Sequence, residues 1–146
     1  MCIRDREYVV PLGQARVARE GTDVSVVTLS LSVHHALDVA EKLAEEEGIS
    51  VEVLDLRTLV PLDREAILTS VAKTGRLVVV DEDYLSYGVS GEVTATVAEH
   101  DPTMLRAPVR RVAVPDVPIP YSHHLEYAVL PRHDRIEHAI RTALAG

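Results

Sequence analysis

The chain has 146 residues, of which 47% are apolar, and its 23 acidic and 15 basic side chains leave a formal net charge of −8. That is enough apolar content for one sizeable core in one domain, and the acidity argues against nucleic acid or an anionic membrane surface as a partner. Cys2 is the only cysteine, so no intramolecular disulfide can form, no Cys/His group has zinc-finger spacing, and the longest apolar runs fall far short of the roughly 20 residues that span a bilayer.

In chain order, residues 14–19 alternate polar and apolar side chains and are expected to form an edge strand antiparallel to the rest. From Asp23 onward, β-branched runs alternate with helical patterns, as in βαβ units around a parallel sheet. Strands are expected at 24–29, 51–56, 77–80 and 109–114, the third apolar throughout and so buried on both faces. Between the first two of these, Val33, Ala36, Leu37, Ala40, Leu43 and Ala44 repeat at helical spacing, with Ser32 as the expected N-cap and Gly48 as the left-handed stop. Asp63 is the expected cap of the next helix, with Leu62 and Ile67 placed as a hydrophobic staple. A third helix runs through Val93, Val97 and Ala98 and ends before Asp101-Pro102. Pro115, Pro118 and Pro120 enforce an extended connection, after which helices are expected over 122–130 and 132–145.

Chemistry is sparse. Tyr87-Gly88-Val89-Ser90-Gly91-Glu92 lacks the lysine of a phosphate loop and the spacing of GxGxxG, and reads as a tight strand-to-helix turn. Asp81, Glu82 and Asp83 read as solvated carboxylates near helix N-termini rather than a metal site. The adjacent pairs His34-His35 and His123-His124 diverge on a helix, while His34 with Asp38 and Asp134 with His138 have the spacing of surface pairs. Asp55 and Arg57, two apart at a strand end and pointing the same way, could orient a loop or grip an anion, but a structural ion pair is the favoured expectation. Tyr121 and Tyr127, together with Pro118 and Pro120, are the candidates for a partner surface, with core packing of the tyrosines as the equal alternative, in a chain with five tyrosines and no tryptophan or phenylalanine.

Three segments carry a family resemblance: Glu7-Tyr8-Val9-Val10-Pro11-Leu12-Gly13, Leu54-Asp55-Leu56-Arg57-Thr58-Leu59-Val60-Pro61-Leu62-Asp63, and Pro115-Asp116-Val117-Pro118-Ile119-Pro120-Tyr121. They resemble the C-terminal domain of the beta subunit of thiamine-diphosphate-dependent 2-oxoacid dehydrogenases of the pyruvate, branched-chain and acetoin type. The Pro115 segment is the most specific, and it favours a dehydrogenase over the tail of a transketolase or deoxyxylulose-phosphate synthase. The resemblance implies a three-layer αβα sandwich with a mostly parallel sheet and one antiparallel strand, like the last domain of transketolase. It also implies oxidative decarboxylation of a 2-oxoacid with acyl transfer to lipoamide, carried out in the cytoplasm of a bacterium by a heterotetramer that uses thiamine diphosphate and magnesium. The implied partners are an alpha subunit, a second beta subunit and a dihydrolipoyl acyltransferase. The family's catalytic and cofactor-binding residues belong to other domains, so no catalytic, cofactor-binding or metal position is assigned here and the chain alone is expected to be inactive. Residues 7–146 are expected to be the family domain, and residues 1–6, which match nothing in it, a spurious start on a subunit that continues upstream. A freestanding interaction module is the competing expectation; a nucleotide-binding domain is disfavoured by the missing glycine fingerprint.

Overall fold

A computed structural model describes residues 9–146; the expected spurious start at 1–6, and Glu7 and Tyr8 of the first motif, lie outside the described residues. Five strands form one sheet in the order β1-β3-β2-β4-β5: β1 (Arg16–Arg19), β2 (Val24–Thr28), β3 (Val51–Asp55), β4 (Leu77–Tyr84) and β5 (Arg110–Val114). β1 runs antiparallel to β3, and the other neighbours are parallel. The edge strand anticipated from 14–19 is therefore present, with Arg16 opposite Asp55.

Every residue of β2 is buried, as expected of a central parallel strand covered on both sides. One covering layer is α1 (Ser32–Glu47) and α5 (His133–Ala145), which pack Ala36, Leu43, Ile136 and Ile140 against Val24, Val26, Val53 and Val78. The other is α2 (Arg64–Thr74) and α3 (Val89–His100), whose Ile67, Val71, Val93 and Val97 meet Val27, Leu54 and Val79. The result is the expected three-layer sandwich. Fully burying a side chain such as Ile67 contributes on the order of 2 kcal/mol, so each face is held mainly by such contacts. A short 3₁₀ turn spans Pro102–Met104, and a seven-residue helix, α4 (His123–Val129), follows β5.

Gly48 ends α1 in the left-handed conformation, and Asp63 caps α2 by accepting from the Ala66 N–H at 3.1 Å, both as expected. The Asp63 carboxylate also takes the Ala15 N–H at 2.8 Å, so one residue fixes both α2 and the approach to β1. Two expectations are corrected. Ser32 does not cap α1; the N-cap is Leu31, and the buried Ser32 hydroxyl, already inside the helix, donates to Glu82 at 3.3 Å. β4 does not stop at Val80 but runs on to Tyr84, because β5 offers it a partner there, with Tyr84 opposite Val114 after a register shift.

Candidate functional site

The feature that stands out is an arm, residues 115–130, which leaves the end of β5 and returns to the fold only at α5. Proline at 115, 118 and 120 denies residues 115–122 helical turns and ladder donors, and the chain bends at Asp116-Val117, where the Val117 N–H donates to the Pro115 carbonyl at 2.7 Å, and again at Tyr121-Ser122. Val117, Ile119 and Tyr121 are all exposed, Tyr121 fully. α4 buries none of its residues and leaves Leu125 and Tyr127 exposed as well. Five large apolar side chains therefore face outward within eleven positions. Such clustering marks an interaction surface more often than scattered exposed leucines do.

The arm is fastened rather than loose. At its start, Leu85 N–H donates to the Val114 carbonyl at 2.8 Å, and Ser86 binds the Asp116 carboxylate through its N–H at 3.2 Å and its hydroxyl at 2.6 Å. Those bonds bring the 84–88 turn, with its exposed Tyr84 and Tyr87, alongside the arm. At its end, the Arg135 guanidinium donates to the carbonyls of Val129 at 2.9 Å, Leu130 at 3.2 Å and Ala113 at 2.6 Å. The Arg132 guanidinium carbon lies 3.3 Å from the centroid of the Tyr127 ring, a cation–π contact that sets the ring's orientation. Of the four residues expected to form a partner surface, Pro118, Tyr121 and Tyr127 are exposed and Pro120 is half-buried. Sequence reading missed Val117, Ile119, Leu125 and the clamp Arg135. The alternation of Val117, Ile119 and Tyr121 between prolines was the available signal for the apolar side chains; no local pattern announces Arg135.

The other candidates resolve into scaffolding. Asp81 is not a solvated carboxylate: it is 4% exposed, and its oxygens accept from the N–H groups of Asp83 at 3.1 Å and Ser90 at 3.3 Å, anchoring the start of α3. The turn before it needs Gly88, since a Cβ there would sit 2.1 Å from the Tyr84 carbonyl oxygen. Asp55 does not ion-pair with Arg57; it accepts the Arg57 N–H at 3.0 Å and so supports that residue's left-handed backbone, φ 58°. Asp38 pairs with His133 at 3.1 Å across the α1–α5 contact instead of with His34. The His35 ring packs 4.6 Å from that of His133, and burial holds its pKa below the ordinary imidazole value, with His133 and Arg132 pushing the same way. Among the described residues, no three His, Cys, Asp or Glu side chains converge as ligands for a metal ion. The donor set among the described residues thus does not make a magnesium site.

A profile described as transketolase, C-terminal domain, matches residues 13–136. The chain belongs to that family. It is 48% identical over 139 residues to the pyruvate dehydrogenase E1 component subunit beta-1, mitochondrial, of Arabidopsis thaliana, covering 95% of this chain and 38% of that protein. It is 45% identical over 136 residues to the 2-oxoisovalerate dehydrogenase subunit beta of Bacillus subtilis, covering 92% and 41%. The acetoin:2,6-dichlorophenolindophenol oxidoreductase subunit beta of Cupriavidus necator is 43% identical, with 95% and 41% covered. A solved split gene transketolase, an inactive beta4 tetramer, superposes with a TM-score of 0.82 at 31% identity over 93% of this chain and 44% of that one. The chain thus spans about two-fifths of the length of these curated relatives. The relationship to 2-oxoacid dehydrogenase beta subunits expected from the three motifs holds, and relatives of all three expected substrate types are present. Among the described residues, no helix is long and apolar enough to cross a membrane.

Proposed function

We propose that the transketolase-type domain, residues 7–146, with 1–6 outside it, serves as the C-terminal domain of a beta subunit of a thiamine-diphosphate-dependent 2-oxoacid dehydrogenase in the cytoplasm. Its work is assembly: it presents the arm to the other subunits, an alpha subunit and a second beta subunit, and contributes to docking of the dihydrolipoyl acyltransferase that receives the acyl group on its lipoyl arm. Thiamine diphosphate and magnesium are held elsewhere in that assembly and supply the decarboxylation chemistry. The observation that carries this reading is the fastened arm, with Val117, Ile119, Tyr121, Leu125 and Tyr127 exposed on a segment that nothing else among the described residues covers. An apolar surface held in place by a guanidinium clamp is suited to rigid docking, because little conformational entropy is left to lose on binding.

The test is capture of an alpha subunit and of the acyltransferase's subunit-binding domain by the immobilised chain, compared with Tyr121→Asp and Leu125→Asp. Both substitutions lie on exposed positions and leave the core intact, so retention by the native chain and loss with the variants is expected. Equal retention by all three would show that the arm is not the contact surface.

A further inference from the structure

A second surface feature carries chemistry that the assembly reading does not use. A cavity of about 470 Å³ opens where β2 and β3 end and β1 begins, within the size range of small-ligand sites. Its polar wall is Arg16, Ser30, His34, Asp55 and Arg57. Several arginines elsewhere are engaged, Arg64 with Glu92, Arg141 with Glu47 and Glu137, and Arg135 with three carbonyls, although the buried Arg110 Nε has no partner among the described residues. Among the described residues, the guanidiniums of Arg16 and Arg57 make no hydrogen bond or ion pair, although acidic side chains outnumber basic ones in this chain. The one carboxylate on the wall, Asp55, already accepts the Arg57 N–H. Arg57 reaches this position through a left-handed backbone that a non-glycine residue adopts only when its surroundings hold it there.

We propose that this cavity binds a small phosphate-bearing solute, held by the paired guanidinium forks of Arg16 and Arg57 with His34 at the rim. Planar forks present parallel N–H donors that match phosphate oxygens bidentately, which a lone ammonium cannot do. The proposal is independent of the assembly reading, since the arm lies on other elements.

The experiment is calorimetric titration of the 146-residue chain with inorganic phosphate and with pyrophosphate at constant ionic strength. One-to-one saturable binding is expected, with a dissociation constant on the order of 0.1–1 mM for pyrophosphate. Arg16→Gln, on the exposed edge strand, and Arg57→Lys, which keeps the charge but loses the fork, should each weaken it roughly tenfold. Arg64→Gln, which removes a charge elsewhere, should leave it unchanged. Thermal unfolding of each variant confirms that the fold is retained. Absence of saturable heat up to about 20 mM pyrophosphate, or equal weakening by Arg64→Gln, would overturn the proposal.

Discussion

Arg135 tests how the arm is held. Arg135→Met keeps most of the aliphatic stem but removes the donors to Ala113, Val129 and Leu130. Hydrogen bonds from a charged donor are worth about 1.5–3 kcal/mol each. The carbonyls of Val129 and Leu130 sit at the open end of α4, where water can replace the guanidinium, so most of the cost falls on Ala113, which is buried in β5. A total of about 2–3 kcal/mol follows, which for a domain of this size lowers the melting temperature by about 6–10 °C. Hydrogen exchange should then separate local from global effects. The amides of Glu126 and Leu130, bonded to the carbonyls of Ser122 and Glu126 at the two ends of α4, should lose protection beyond the global change. Amides of β2 and β3 should follow global stability alone. A melting temperature within about 1 °C of the native chain, with α4 exchange unchanged, would refute the clamp.

Other consequences follow from the charged groups. Lys73 bridges Glu20 and the buried Glu52, so Lys73→Met leaves an unpaired buried carboxylate and should cost about 2–3 kcal/mol, discounted because Lys73 is partly solvated; adding Glu52→Gln should recover most of it in denaturant titration. Glu137 on α5 is held below its ordinary carboxyl pKa of 4.5, first by the hydrogen bond from Lys42 on α1 and then by Arg141. Its folded pKa is depressed, so its contribution is present above about pH 4.5 and fades as pH falls through the folded value; the stability gap between the native chain and Glu137→Gln should therefore close on acidification. His35 is a base whose folded pKa lies below the ordinary 6.5, so the unfolded chain takes up the proton first and stability declines as pH drops below about 6.5. Replacement by Gln should flatten that part of the profile, and an unchanged slope would contradict the assignment.

Much of the sandwich was legible because its determinants are local. The β-branched runs of β2, β3 and β4 are buried on both faces, Gly48 and Asp63 mark helix ends by backbone chemistry of their own, and prolines at 115, 118 and 120 state where a helix cannot run. What was misread depends on partners distant in sequence. Ser32 looked like a cap until Glu82, fifty residues on, claimed its hydroxyl. Asp81 looked solvated because the backbone that buries it comes from the start of α3. Asp38 had a plausible partner four residues away but finds His133 on the opposite helix. The arm's tyrosines could be named from composition and neighbouring prolines; the clamp that presents them could not, since Arg135 acts on carbonyls from β5 and α4 together.

The central claim, that this domain does the assembly work of a dehydrogenase beta subunit, is tested most directly by domain exchange. Residues 9–146 would replace the corresponding segment of the Bacillus subtilis 2-oxoisovalerate dehydrogenase subunit beta, to which the chain is 45% identical. The chimera would be co-expressed with the matching alpha subunit and its native mass measured. The account predicts an assembly of the same mass as the parent. A chimera that melts cooperatively but stays apart from the alpha subunit would contradict it.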